Sequence, residues 1–424
     1  MNSMSFLLIV IFMILLYFSS KWYRNILNPI NVFVSINLLA LILMFGLSGL
    51  NSHLSPKIWL MILVMFFSYL IGIMFGSFNY RFLSGDKSVK KVKITSKSRL
   101  KFVIILYSFI YDISAFIYLW QINKSFGFNG ILSKLTEMNL AFQSGEFSIG
   151  IFSLFLPITY SLALMILYYL KFYKNHFLLI VQYLLCYIPA ISPRRDTLFY
   201  LVFMSMMFIF MTPSKEKSND DFKKYFKIFS VVSIAVWFMG MSQNLLNKAS
   251  EHSFKLFHVP IPSFLNEIAI YIAGNYPYFQ KLYDLRQLNF EHFLLATFRI
   301  YYIYIAPIFG IQVNTKAMFE LPLMNIGTDF NFLFNTAPML YYFVKESGMF
   351  FFIGFILLGF LAQKLFIKYN EGRSAGKLLM LSYVFFLSFF SFRSYNIIYL
   401  STILILIYML IAYFIIDVER NENE

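Results

Sequence analysis

The sequence has a single cysteine and few charged residues. Asp, Glu, Lys and Arg make up 13% of the 424 residues, against about a quarter in a typical soluble domain. This shortage excludes an ordinary soluble globular protein. The lone cysteine, Cys186, lies inside an apolar run, which excludes disulfides and thiolate metal sites as organising features.

Two further patterns are missing. The five histidines lack a metal-ligand spacing such as HExxH, so we expect no metal and no other cofactor. A short apolar region followed by a small-residue cleavage site, the mark of a secretory signal peptide, is not found near the N-terminus. The first apolar run, residues 6–17, therefore predicts a retained membrane span.

Long apolar runs are abundant instead. Hydrophobic residues form 59% and aromatic residues 21% of the chain. The runs are about 20 residues long, the length that crosses a hydrocarbon layer of about 30 Å as a helix. We expect an all-α polytopic membrane protein with about eleven transmembrane helices, at residues 4–20, 30–49, 58–76, 102–122, 150–170, 177–192, 197–212, 227–243, 349–367, 378–392 and 397–416.

The positive charge of the chain orients these spans. The formal net charge is +15, and the short loops that carry it follow the positive-inside rule, so we expect no nucleic-acid partner. The basic cluster at residues 81–101 resists translocation and marks a cytoplasmic connection. Counting spans from this cluster places the N-terminus outside, the C-terminus inside and residues 243–347 outside.

The predicted topology divides the chain into three parts. Residues 1–242 form an N-terminal transmembrane bundle, residues 243–347 a large outer segment, and residues 348–424 the C-terminal helices with a short cytoplasmic tail. The outer segment contains an apolar stretch, residues 293–311, interrupted by Arg299, Pro307 and Gly310. If this stretch crossed the membrane alone, it would reverse the final loops, so we interpret it as a broken helix that is re-entrant or interfacial.

Arginines supply the first candidate site. Guanidinium groups grip phosphate at two points and stay charged when partly desolvated. Half of the arginines lie on the outer side in the predicted topology, which indicates a phosphate-bearing ligand there. They are Arg194, Arg195, Arg286, Arg299 and Arg393.

Each of these arginines also has a structural interpretation. Arg194 and Arg195 either clamp a pyrophosphate or reach toward lipid headgroups. Arg299, in an apolar stretch, either meets a ligand phosphate or forms an ion pair with Glu291 or Asp284. Arg393 either closes the same pocket or anchors the membrane interface.

A hydroxyl attack requires one general base. The candidates are His252, His258, His292, Glu346 and the other acids of the outer segment, although a surface loop better explains any one histidine taken alone. We place Glu346 at the start of the ninth span, where the helix dipole favours an acid regardless of its task. Within the spans, Asp112 has two interpretations. It either relays a proton or contacts a substrate hydroxyl, or it pairs with an arginine or tyrosine of the bundle.

Four of these features together resemble the O-antigen and oligosaccharide repeat-unit polymerases, which are related to the O-antigen ligases. They are Ser192-Pro193-Arg194-Arg195-Asp196-Thr197 before a span, the long outer segment, Arg299 with Gly310 in an Arg-x10-Gly pattern, and Asn335-Thr336 followed by Glu346-Ser347-Gly348. Ligases usually carry His before the Asn, whereas this chain has Phe334, which favours the polymerase.

The resemblance implies a metal-independent glycosyltransferase with a GT-C-like fold in a bacterial inner membrane, its active site facing the periplasm. It would link repeat units carried on undecaprenyl pyrophosphate into O-antigen or capsular polysaccharide, with lipid-linked donor and acceptor, membrane lipid and a chain-length regulator as partners. Tyr276, Tyr278 and Tyr301 would stack on sugars. A flippase of the same lipid is the alternative from another class, disfavoured because intramembrane charge is nearly limited to Asp112.

Overall fold

The structure is a computed structural model of the full chain. It describes residues 3–23, 25, 27–78, 95–127, 150–173, 177–188, 196–211, 254–287, 294–311, 321–328, 332–394 and 399–417. The structural statements below concern these residues.

The described chain is mostly helical, which confirms the all-α class. The helices that precede the outer segment are α1 (Ser3–Tyr23), α2 (Pro29–Gly46), α3 (Pro56–Ser77), α4 (Lys97–Phe126), α5 (Ile158–Tyr173), α6 (Phe177–Leu185) and α7 (Asp196–Met211). Helices α8 (Ser263–Ala273), α9 (Asn275–Asp284), α10 (Arg299–Tyr304) and α11 (Met339–Ser347) lie within that segment, and α12 (Phe352–Gly372), α13 (Ala375–Phe389) and α14 (Leu400–Asp417) follow it.

Within the described residues, six helices are long and apolar enough to cross a membrane. They are α2, α3, α4, α12, α13 with the turn that continues it to Phe392, and α14. Their bounds follow the predicted runs closely; the run at 58–76, for example, becomes α3. The chain is therefore a membrane protein with multiple spans.

Two predicted spans need comment. The run at 177–192 becomes a helix that ends at Leu185, because turns follow at residues 186–188. Its nine residues cover only about 14 Å at 1.5 Å per residue. The run at 227–243 lies outside the described residues.

Local sequence signals explain where the early spans begin. Asn28 caps α2 by accepting a hydrogen bond from the Asn31 amide at 3.0 Å, and Pro29 occupies the first helical position. Ser55 and Pro56 repeat this arrangement at α3. A polar side chain followed by proline satisfies a free amide and fixes the first turn, so both spans start at defined residues.

The chain forms two compact units. The first comprises Met1–Asp86, Ala249–Phe366 and Leu387–Leu400, and the second comprises Lys87–Lys248, Ile367–Phe386 and Ser401–Glu424. The first unit therefore joins the N-terminal helices to much of the predicted outer segment.

Helices α3 and α12 of the first unit pack through glycines. A Cβ added at Gly72 or Gly359 would lie less than 3.0 Å from the backbone carbonyl oxygen of Ile356 or Tyr69, respectively. Only a residue without a side chain allows the two backbones to approach this closely, as in membrane helix pairs generally. This glycine seam fixes the position of α12.

A buried polar network ties the same unit together. The Asn37 amide nitrogen of α2 donates to the Ser391 hydroxyl at 2.9 Å, and the Asn37 oxygen accepts from the Tyr276 hydroxyl at 2.9 Å. Both Asn37 and Tyr276 are fully buried. The network connects α9 with the turn that precedes Arg393.

Two short antiparallel hairpins belong to the first unit. Strand β1 (Lys255–Leu256) pairs with β2 (Val259–Pro260), and β3 (Met324–Asn325) pairs with β4 (Leu333–Phe334). The first hairpin packs on the end of α2, where the Phe257 amide donates to the Gly46 carbonyl at 2.9 Å.

In the second unit, the last helix caps its neighbour. The Asp417 carboxylate at the end of α14 accepts hydrogen bonds from the Ser374 hydroxyl and, at 3.1 Å, from the Lys377 amide at the start of α13. In the middle of α4, Asp112 accepts a 2.7 Å bond from the Gln182 side chain. Asp112 thus pairs with an amide, rather than with the arginine or tyrosine that the sequence suggested.

Candidate functional site

The candidate site is built around a carboxylate clasp in the first unit. Glu346 accepts hydrogen bonds from the Thr297 amide at 2.8 Å and from the Thr297 hydroxyl at 2.9 Å, one on each carboxylate oxygen. The Glu346 carbonyl also accepts from the Leu294 amide at 3.1 Å. The clasp therefore attaches residues 294–297 to α11, two residues before Arg299.

Glu346 does not open a membrane span, which corrects the sequence prediction. It lies near the end of α11, and the spanning helix α12 begins only at Phe352. Gly348 separates the two helices with a positive φ of 55°, a conformation that suits glycine. The helix dipole disfavours an anion at this position, so α11 itself does not explain the carboxylate.

The environment of Glu346 changes its acidity. Its side chain is 2% exposed. Burial raises the pKa of the carboxyl from 4.5 to about 7, against the opposing effect of its bonds to Thr297. The hydrogen bonds from Thr297, rather than solvent, occupy both carboxylate oxygens. A carboxylate enclosed in this way is suited to holding the backbone at Thr297 in place.

Arg299 is the first residue of α10 and lies half-buried. Burial lowers its pKa, and the phenol groups of Tyr399, Tyr342 and Tyr304 oppose that effect. Arginine stays charged even so. Tyr342 is buried on α11, whereas Tyr304 and Tyr399 are exposed, so the guanidinium group lies among hydroxyl groups, two of them on exposed residues.

Burial also raises the pKa of Tyr342, and Arg299 opposes that rise. The phenol hydroxyl therefore stays protonated and able to donate a hydrogen bond. Glu346 follows Tyr342 by one helical turn on α11, so both side chains lie on the same face of that helix. On this face, Glu346 binds Thr297, and Tyr342 interacts electrostatically with Arg299.

A second contact supports the same region. The Thr336 hydroxyl donates to the Asn275 side-chain oxygen at 2.9 Å, and Asn275 begins α9. The neighbouring Asn335 is exposed, while Phe334 is buried. The two residues of the predicted Asn-Thr motif therefore differ: the Asn335 side chain is exposed, and the Thr336 hydroxyl makes a structural hydrogen bond.

The remaining outer arginines occupy different environments. Arg393 is half-buried with its guanidinium carbon 5.3 Å from the centre of the Tyr271 ring, a cation–π arrangement. Arg286 is exposed and has a positive φ of 55°. Its amide donates to the Tyr283 carbonyl and that of Gln287 to the Leu282 carbonyl, the hydrogen bonds of a Schellman motif that ends α9.

The predicted bases are only partly described. His258 is exposed in the turn of the first hairpin, with a positive φ of 73°. His252 and His292 lie outside the described residues, as do Arg194, Arg195 and Glu291. Asp284, one proposed partner of Arg299, accepts a 2.7 Å bond from Gln280.

Two of the three tyrosines expected to stack on sugars are wrongly assigned. Tyr276 and Tyr278 have no exposed surface, and their hydroxyl groups bond to Asn37 and to the Pro322 carbonyl. A ring enclosed in the core cannot stack on a ligand. Tyr301 is 38% exposed, so its ring is accessible for stacking on a sugar.

Sequence reasoning missed Thr297, Tyr342 and Tyr399. Thr297 lies two residues before Arg299, and Tyr342 one helical turn before Glu346, so each is near a predicted residue in the chain. Among the described residues, no group of three or more His, Cys, Asp and Glu side chains is placed to hold a metal ion. Searches of protein-family models, curated proteins and solved structures give no match.

Proposed function

We propose that this chain is a glycosyltransferase that polymerises oligosaccharide repeat units carried on undecaprenyl pyrophosphate, at the periplasmic face of a bacterial inner membrane. The single observation that carries the proposal is the position of Arg299. It is a half-buried guanidinium group among tyrosines, at the start of an exposed apolar segment that Glu346 attaches to α11, the helix that precedes a membrane span. The proposal includes about eleven spans and a GT-C-like architecture.

The reaction would proceed by displacement at a sugar carbon. A hydroxyl oxygen of the lipid-linked acceptor forms a bond to the anomeric carbon of the donor glycan. The bond from that carbon to the pyrophosphate oxygen breaks, and undecaprenyl pyrophosphate leaves with the electron pair. The hydroxyl proton passes to a general base.

Arg299 would serve the leaving group. A guanidinium offers two parallel N–H donors to phosphate oxygens, and charge builds on the leaving oxygen as the bond breaks. A fixed cation at that position stabilises the transition state more than the ground state. Hydroxyl groups of Tyr304 and Tyr399 would donate to the remaining phosphate oxygens.

Glu346 would have a positioning role in this mechanism. Both of its carboxylate oxygens accept hydrogen bonds from Thr297, and the base must instead reach the acceptor hydroxyl. His252, His258 and His292 remain the candidates for the base. Arg194, Arg195, Arg286 and Arg393 remain candidates for further phosphate contacts.

The test uses purified protein in nanodiscs with a lipid-linked repeat unit, with and without a chelator. Wild-type protein should produce a ladder of polymers. Arg299→Ala should slow polymerisation by about 10²–10³-fold, the usual cost of losing a transition-state donor. Arg299→Lys should also fail, because lysine provides a single point of charge.

Arg373→Lys is the matched control, since its position between α12 and α13 is remote in sequence from the site. It should retain full activity. Full activity of Arg299→Ala, in protein of normal abundance, would refute the proposal. Movement of the lipid-linked unit across the bilayer without a ladder would establish the flippase instead.

A further inference from the structure

The apolar segment, residues 298–311, presents an unusual surface. Its exposed side chains are Phe298, Tyr301, Tyr304, Ile305, Ile308, Phe309 and Ile311. Ile308 is 78% and Phe309 69% exposed, values expected of charged surface residues rather than of large apolar ones. Residues 300–311 contain no charged residue, so this surface is continuous and apolar.

Water is a poor environment for such a surface. Contiguous apolar patches on soluble surfaces are small, and larger ones mark contact with a protein or a membrane. The segment is also too short to cross a bilayer. Helix α10 has six residues, or about 9 Å. A 3-10 turn, Ala306–Phe309, follows it, contains Pro307 and ends at Gly310.

Contacts in the same unit fix the depth of the segment. The Leu294 and Thr297 amides bond to Glu346, and Phe352, where the spanning helix α12 begins, follows shortly after. The intervening chain reaches about 20 Å at full extension. The apolar segment therefore starts within roughly this distance of the residue at which α12 begins.

The connection itself has the same character. Met349 is 86% and Phe350 60% exposed, immediately before α12. Two apolar surfaces, one on the segment and one on the connection, thus occur at the start of the same membrane span. A lipid leaflet accommodates both, whereas a soluble partner would need to contact the bilayer as well.

We propose that the apolar segment inserts into a single leaflet, with Ile308 and Phe309 among the acyl chains. A surface of aromatic and aliphatic side chains, flanked by one cation, suits the boundary between headgroups and hydrocarbon. Arg299 then lies at the level of the lipid phosphates. This inference rests on the proposed function. The position of Arg299 at the phosphate level favours a ligand whose phosphate is attached to a membrane-embedded chain over a water-soluble sugar phosphate.

The test measures the environment of position 308 directly. Cys186→Ala removes the only cysteine, and Ile308→Cys then carries a nitroxide label in full-length protein reconstituted in phosphatidylcholine nanodiscs. Collision with oxygen reports lipid, and collision with a water-soluble nickel complex reports water. Gln287→Cys is the matched control, because Gln287 is exposed and polar at the end of α9.

We expect oxygen to dominate at position 308 and nickel to dominate at position 287. Equal nickel accessibility at both positions would overturn the insertion. Low accessibility to both reagents at position 308 would also overturn it, since a protein surface would then cover the segment.

The outcome can be separated from that of the polymerase assay. Arg299→Ala should leave the collision profile unchanged while polymerisation is lost. Oxygen-dominated collisions in a protein that forms no polymer would support the insertion and refute the proposed function. If position 308 were exposed to water in a protein that forms polymer, the result would refute the insertion and support the proposed function.

Discussion

The Glu346 clasp predicts a specific pH dependence of stability. The pKa of its carboxyl is raised from 4.5 to about 7 in the folded protein. The folded state therefore binds the proton more tightly than the unfolded state does. The stabilising contribution is fully present below about pH 4.5 and is lost as pH rises through about 7.

The magnitude follows from the size of that rise. At about 1.36 kcal/mol per pKa unit, the loss between these limits is roughly 3 kcal/mol. Glu346→Gln keeps an oxygen for the Thr297 amide and an amide group for the hydroxyl, but it does not titrate. We expect Glu346→Gln to be more stable than wild type at pH 8 and to lack the pH dependence between 5 and 8.

The assay is the apparent unfolding temperature of purified protein across this pH range, for wild type, Glu346→Gln and Thr297→Val. Valine matches threonine in shape but removes the hydroxyl that lowers the pKa of Glu346. We therefore expect the titration to move to higher pH in Thr297→Val. Infrared difference spectra should show the protonated carboxyl directly, with its band absent in Glu346→Gln.

The reasoning fails if Glu346→Gln retains the wild-type pH dependence, because another group must then titrate. It also fails if Glu346→Gln is as unstable as Glu346→Ala. Negative charge, rather than the pair of hydrogen bonds, would then hold the segment.

Two further predictions concern the frame of the site, both read as apparent unfolding temperatures at constant pH. Asn37→Leu should destabilise the protein by about 2–4 kcal/mol, because it removes the partner of the buried Tyr276 and Ser391 hydroxyl groups; an unchanged unfolding temperature would show that the network contributes little. Arg286→Gly should stabilise the protein by up to about 1 kcal/mol, because glycine adopts the positive φ at this helix end without strain; a loss of stability would show that the arginine side chain makes a needed contact.

Six of the predicted spans match helices of the described residues that are long enough to cross a membrane, because bilayer thickness sets their length. The run at 30–49 becomes α2, and that at 397–416 becomes α14. The break in residues 293–311 was also predictable. Helix α10 ends at Tyr304, a 3-10 turn that contains Pro307 follows it, and Gly310 ends that turn with a positive φ of 76°. Proline lacks the amide that a longer helix needs, and glycine adopts a positive φ without strain.

The site could be predicted only in part. The chemistry of arginine indicates Arg299, and the family resemblance indicates Glu346. The bond between Glu346 and Thr297 joins residues that are distant in sequence, and no local pattern indicates it. The sequence predicts Glu346 at the start of the spanning helix, and this is wrong because Gly348 interrupts the apolar run without changing its hydropathy. The prediction that Tyr276 contacts a sugar is wrong because an aromatic ring with a polar hydroxyl suits either the surface or the core, and here its hydroxyl bonds to the buried Asn37.

The glycine seam between α3 and α12 limits which parts of the first unit can move. Neither helix can slide or rotate without driving the Ile356 and Tyr69 carbonyls into the opposite backbone. Helix α12 is thus held in place, whereas the segment that carries Arg299 is attached to α11 by the hydrogen bonds between Thr297 and Glu346. Any displacement of that segment should therefore begin with release of Thr297 from Glu346, while α3 and α12 stay in contact.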